Sequence, residues 1–180
     1  MSPEIAGLLG PDGRLGKLAA ELMGAPARAV RILYFDKTPE VNWAVSWHQD
    51  RTIAVAERVD MPGFGPWSVK AGIHHVEPPD SILRNIVSLR LHLDDCGPDN
   101  GPLLAVRGSF RLGRVPVSEI GRHVEKGPIQ ICCAKAGGVV AMRGLTVHAS
   151  ERARRPGHRR VLHVDFSCAE LPCGLQWALA

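Results

Sequence analysis

The rhythm of apolar and polar positions changes near residue 29. Before it, RLGKLAAELMG (14–24) sets Leu15, Leu18, Leu22 and Met23 at helical spacing, and Gly24 with Pro26 supplies a stop. That pattern predicts an α-helix over 14–24. After it come AVRILYF (29–35), NWAVSWH (42–48), RTIAVAER (51–58), IVSLRLHL (86–93), LLAVRG (103–108), GGVVAM (137–142) and RVLHVDF (160–166). These segments are short, rich in β-branched or aromatic residues and bounded by Gly, Pro, Asp or Asn, so each reads as a strand. A second short helix is expected at 79–87, after Pro78 and Pro79. GFGPWSVKAGIHHVEPP (63–79) is crowded with Gly, Pro and aromatic residues and reads as a loop.

Few helices and many short strands point to a mainly β protein, a sandwich or jelly roll. A parallel α/β sheet would need a helix after nearly every strand. Neither G-x-G-x-x-G nor a Walker sequence is present to support a nucleotide fold. A length of 180 residues suits one domain over 1–180.

Composition narrows the function classes. Apolar residues at 45% and charged residues at 22% belong to a globular chain. No apolar run approaches the roughly 20 residues of a membrane helix. The amino terminus has no basic segment followed by an apolar core. A soluble, cytoplasmic protein without a membrane partner is the expectation. Five cysteines, two of them adjacent at Cys132–Cys133 and none in C-x-x-C spacing, are expected to be reduced thiols rather than a disulfide framework or zinc site. The net charge of +4 gathers in Arg152, Arg154, Arg155, Arg159 and Arg160. That cluster is short and lacks interleaved aromatics, so no nucleic-acid partner is expected.

The candidate chemistry is metal binding. On a strand, residues i and i+2 share a face, so H-x-D sets an imidazole beside a carboxylate. A second His from a facing strand completes the 2-His-1-carboxylate set of non-haem Fe(II) oxygenases. Three such tripeptides occur: His48-Gln49-Asp50, His92-Leu93-Asp94 and His163-Val164-Asp165. No histidine follows the third. Spacing leaves the first and second both open, although Asp94 and Asp95 have an ordinary turn role available.

The distal histidine is easier to choose. His148 ends the expected strand GGVVAMRGLTVH, and Arg159 follows eleven residues later at the start of the next strand. An arginine beside His148 can grip a carboxylate with two parallel hydrogen bonds. Ser150 can add a hydroxyl donor to the same carboxylate. His74 and His75 are neighbours on an extended segment, face opposite ways and remain unassigned.

HQD at 48–50, LRLHLDDCGPDNGPLLAVRGSF at 89–110, GGVVAMRGLTVHAS at 137–150 and HRRVLHVDF at 158–166 together resemble the phytanoyl-CoA dioxygenase family of Fe(II)/2-oxoglutarate oxygenases. The likeness runs in order over roughly residues 29–170. It implies a double-stranded β-helix (a cupin-like jelly roll) with one or two flanking helices. It also implies Fe(II) held by His48, Asp50 and His148, with 2-oxoglutarate gripped by Arg159 and Ser150 and O₂ as co-substrate. The implied reaction hydroxylates a C–H bond of a small molecule and releases succinate and CO₂. Related halogenating enzymes carry a small residue in place of the carboxylate, so Asp50 favours hydroxylation. The resemblance, rather than spacing, selects His48 over His92.

Two departures accompany it. The family's P-G-S-H turn reads Arg107-Gly108-Ser109-Phe110, and the part before the core is shorter than usual, so a shortened N-terminal portion is expected. Substrate contacts are expected from Asn42, Trp43, Trp67 and Lys70. The competing readings are a non-catalytic or regulatory jelly-roll domain and a cupin metalloenzyme that does not use 2-oxoglutarate.

Overall fold

The computed structural model describes residues 1–179. Their contacts group into two compact units, one of Met1–Ile32, Arg51–Leu89 and the chain from Val164 onward, the other of Leu33–Asp50 and Arg90–His163. Helices and strands share the first and strands dominate the second, and every strand pair of established direction is antiparallel.

The first unit opens with helices α1 (Pro3–Leu9) and α2 (Arg14–Met23). Ser2 caps α1 by accepting from the Ile5 N–H, and Pro3 occupies the first turn, where a missing N–H costs nothing. Gly24, with φ of 70°, ends α2 in the left-handed conformation and donates to the Ala20 carbonyl. The helix predicted over 14–24 is therefore present. Its Gly16 is required for close packing, because a Cβ there would overlap the Gly10 carbonyl oxygen. Leu9, Leu15 and Ala19 are buried on the inward side.

The same unit contains β3 (Ile53–Val55), β4 (Trp67–Lys70) and β5 (Ile73–Val76), hydrogen-bonded in the order β3-β5-β4. Ile53 and Trp67 both lie opposite Val76, which is fully buried. The region 63–79, expected to be a loop, is thus largely a hairpin. The two-residue turn Ala71-Gly72 closes it with both φ values positive, 49° and 79°. Such turns match the natural twist of paired strands. Gly at the second position supplies the signal, but Ala at the first hides it. The helix expected over 79–87 shrinks to α3 (Asp80–Leu83), because Ile86 and Val87 already belong to β6 (Ile86–His92). Two β-branched residues and an alternating SLRLH pattern outweigh four residues of weak helical propensity.

The second unit carries the remaining short sheet. It is made of β2 (Val45–His48), β7 (Leu103–Val106), β8 (Ile129–Cys132) and β10 (His148–Ser150), in the order β2-β10-β7-β8. Helix α4 (Ile120–Lys126) packs beside it, and Val106, Val115, Ile120 and Val147 form a buried cluster with Trp47 and Val124 against it. The unit also contains β1 (Arg28–Lys37) from Leu33, β6 from Arg90, β9 (Val139–Arg143) and β11 (Arg159–Ser167) as far as His163. These belong to a sheet of order β1-β11-β6-β9.

Two expectations for this unit change. GGVVAMRGLTVH is two strands in two sheets, β9 and β10, separated by a turn in which Leu145 takes a φ of 64°. His148 therefore begins β10 rather than ending a long strand. Arg159 lies in the other sheet, so it reaches Ser150 across the unit rather than along a neighbouring strand. Helices α1 and α4 and strand β8 have no counterpart in the sequence pattern. α1 and α4 have seven residues each, too few to display a clear periodicity.

Candidate metal centre

Register alone brings the two histidines together. In the antiparallel pairing of β2 with β10, His48 and His148 lie directly opposite, and their ring centroids are 4.3 Å apart. Asp50, two residues beyond His48, returns to the same side of the chain. Its Oδ1 lies 3.9 Å from His48 Nε2 and its Oδ2 3.8 Å from His148 Nε2. Among the described residues, this trio forms a cluster whose ligand atoms all fall within 4.8 Å of one another.

Backbone carbonyls orient both rings in the same way. His48 Nδ1 is 2.8 Å from the Ser46 oxygen, and His148 Nδ1 is 2.9 Å from the Thr146 oxygen. Each Nδ1–H donates to the carbonyl two residues back, which leaves Nε2, on the Asp50 side, as the ring atom available to a metal. Burial is the main influence lowering the His148 pKa; Asp50 opposes the shift and His48 reinforces it. The imidazole is neutral at pH 7, the form that binds a metal.

Gln49, between His48 and Asp50, points away and is 4% exposed. Its amide donates to the carbonyls of Gly113 (2.9 Å) and Leu145 (2.6 Å), and its oxygen accepts from the Val115 N–H (2.8 Å). This anchor ties the segment carrying His48 and Asp50 to the turn preceding His148. Nothing in the tripeptide pattern announces it, because any residue satisfies the central position.

The other two H-x-D pairs are taken up elsewhere. Asp94 receives both Arg160 Nη2 (2.6 Å) and Arg160 Nε (2.9 Å), which holds its carboxyl down at about 2. His92 is buried apart from that pair. His163 contacts Arg90 at 2.9 Å, while Asp165 accepts from Ser88 at 2.5 Å and Arg31 at 3.4 Å. Of the three H-x-D pairs, His48 and Asp50 form the one whose side chains gather with His148.

Deeper in the same unit lies a cationic cluster. Arg159 is 3% exposed and Lys37 is 1% exposed, and among the described residues neither has a carboxylate within ion-pair distance. Arg159 donates to the Gly101 carbonyl and to Ser150 Oγ (3.3 Å). Lys37 donates to Ser150 Oγ (3.0 Å) and to the Glu151 carbonyl (2.5 Å), with its ammonium 5.6 Å from the Trp43 ring centroid. Burial and the neighbouring guanidinium push the Lys37 ammonium down to about 8. Gly101 permits this packing: its φ is 58°, and a Cβ would lie 2.7 Å from the Glu151 oxygen. Lys37 escaped the sequence reading, although it shares the alternate positions of β1 with Arg31, Leu33 and Phe35.

The four substrate candidates divide. Trp43 packs beneath Lys37 in the unit that holds the His48, Asp50 and His148 cluster. Asn42 has both ends of its amide engaged with Ala153, donating to its carbonyl at 3.0 Å and accepting from its N–H at 2.8 Å. Trp67 and Lys70 belong to β4 in the first unit; Arg58 lies over the Trp67 ring at 5.6 Å, and Lys70 is exposed. Among the described residues, no helix is long and apolar enough to cross a membrane.

Known proteins supply a second line of observation. No curated protein sequence matches the chain. Among solved structures, AviO1 from Streptomyces viridochromogenes Tue57 is 26% identical with a TM-score of 0.62, over 88% of this chain and 59% of its own. EvdMO1 is also 26% identical, with a TM-score of 0.63 over 92% of this chain and 32% of its own. The epimerase SnoN, in complex with Fe3+, alpha ketoglutarate and nogalamycin RO, is 16% identical, with a TM-score of 0.65 over 91% of this chain and 58% of its own. The chain thus spans less than two thirds of the length of each. The fold is the mainly β, cupin-like architecture that the strand pattern and resemblance anticipate. The model of the family described as Phytanoyl-CoA dioxygenase (PhyH) matches residues 11–161, most of the sequence, and the chain belongs to that family.

Proposed function

We propose that this protein is an Fe(II)- and 2-oxoglutarate-dependent oxygenase that hydroxylates a C–H bond of a small molecule. The observation carrying this reading is the pairing of two sites in one unit: two oriented imidazoles with a carboxylate, and a buried pair of cations with no carboxylate partner among the described residues. One ion bonded at about 2 Å reaches ligands up to roughly 4 Å apart, and the His–Asp separations of 3.8 and 3.9 Å fit inside that limit. The donor set, two nitrogens and one oxygen on one side, is the one that leaves positions open for other ligands.

His48, Asp50 and His148 would hold the iron, and Arg159 with Ser150 and Lys37 would hold the distal carboxylate of the 2-oxo acid. Buried cations without an anion are costly, so a dicarboxylate supplies what this cluster lacks. Arg159 contributes a planar fork and Lys37 a point charge, while Ser150 stands between them. When bound, the metal and the 2-oxo acid supply the activation of O₂ that ends in succinate, CO₂ and an oxidised C–H bond. The protein's part is to fix the ligands and align the acid. SnoN, crystallised with Fe3+ and alpha ketoglutarate, supports the assignment of both groups.

Anaerobic addition of Fe(II) and 2-oxoglutarate tests the proposal, read as a visible charge-transfer band. The band is expected in wild type and absent in His148→Ala. A folded wild type with no band would refute it. Succinate formation in air separates an oxygenase from a domain that binds both groups without turnover.

A further inference from the structure

His92 is the buried titratable side chain that this reading leaves unused. It is 1% exposed, and among the described residues neither Nδ1 nor Nε2 has a hydrogen-bond partner. Buried polar atoms are normally paired, and each unpaired one is a structural cost. Burial, followed by the positive fields of Arg90 and Arg159, pushes its pKa down to about 4. At pH 7 the ring is neutral, with one N–H donor and one acceptor.

The direction of the ring follows from the strands. His92 is two residues from Arg90 on β6, so both side chains project from one face. Arg90 contacts His163 of β11 at 2.9 Å, and His163 shares its face with Arg159, four residues earlier on the same strand. The backbone bond from Leu93 N–H to the Arg160 carbonyl (2.9 Å) fixes the two strands at this end. His92 and Arg159 therefore lie on the same face of adjacent strands. Arg159 Nε is itself buried without a hydrogen-bond partner among the described residues. These polar atoms lie beside the buried cations, a setting suited to an anionic ligand.

We infer that His92 is a further contact of the co-substrate, donating an imidazole N–H to the distal carboxylate that Arg159 and Ser150 hold. This rests on the assignment of that cluster to 2-oxoglutarate. The role differs from that of a metal ligand, which the H-x-D pattern around His92 suggested, because Asp94 is held by Arg160.

The test compares His92→Leu and His92→Gln with wild type, by anaerobic titration of the Fe(II)-loaded proteins with 2-oxoglutarate and with 2-oxopentanoate. The second acid keeps the keto-acid end and chain length but has a methyl group in place of the distal carboxylate. Urea midpoints confirm that each variant is folded. His92→Leu should weaken 2-oxoglutarate about tenfold or more, the effect of one hydrogen bond to a charged group. Its affinity for 2-oxopentanoate should stay at the wild-type value, and His92→Gln should recover part of the loss. Equal 2-oxoglutarate affinity in wild type and His92→Leu would overturn the inference, and so would an equal loss for both acids. A wild type that binds neither acid would overturn the oxygenase reading as well, which separates the two failures.

Discussion

Replacing Gln49 by Leu isolates the contribution of a residue that no metal touches. Leucine has a similar size, so the change removes hydrogen bonds without opening a large cavity. Three backbone partners then lose their pairing: the carbonyls of Gly113 and Leu145 and the N–H of Val115, all in buried residues. A buried polar group left unpaired costs about 1–3 kcal/mol. The three share one neighbourhood and do not add fully, so the expected loss is about 3–5 kcal/mol. Against a typical domain stability of roughly 5–15 kcal/mol that is a large fraction. Equilibrium unfolding in urea measures it, with the slope of the transition showing whether the unfolded state has changed. Gln49→Glu is a useful companion, since it keeps an acceptor for the Val115 N–H but aims a carboxylate at two carbonyls. It should be at least as destabilised. In the Gln49→Leu protein, iron affinity should fall as well, because the segment bearing His48 and Asp50 loses its tie to the turn before His148. A loss below about 1 kcal/mol with an unchanged slope would refute the anchoring argument.

Two further outcomes follow from the geometry. Arg159→Lys keeps the charge but loses the fork, so 2-oxoglutarate should bind about 10–100-fold more weakly, read from its concentration dependence in a succinate assay, while Fe(II) affinity measured alone stays unchanged. The Asp94 carboxyl is held at about 2, below its ordinary 3.8, by hydrogen bonds from Arg160. A carboxyl with a lowered folded pKa gives stability that is present above about pH 4 and lost as the pH falls toward 2. Asp94→Asn should therefore flatten the acid limb of the stability–pH curve, and identical curves for the two proteins would show that the pair contributes nothing.

What the sequence determined by itself was the class of structure and the candidate chemistry. Strand segments appeared because a period of two survives in even a short run, and α2 because it shows a helical apolar stripe between clear end signals. The candidate ligand types were legible in H-x-D plus a distal histidine, and the proposed clamp in Arg159 and Ser150. Three things needed tertiary structure. Which H-x-D meets His148 depends on register between strands separated by 100 residues of chain, and the pairing of His48 with His148 decides it. The division of GGVVAMRGLTVH between two sheets depends on a positive φ at Leu145, a conformation that leucine itself does nothing to advertise. Lys37, Gln49 and His92 stand out through burial and through the partners they have or lack. Those partners lie 113 residues away for the Lys37 bond to Ser150, and 64 and 96 for the Gln49 bonds to Gly113 and Leu145. Residue type and local spacing specify what a side chain can do, whereas its partners are set by chain segments that meet only when the sheets form.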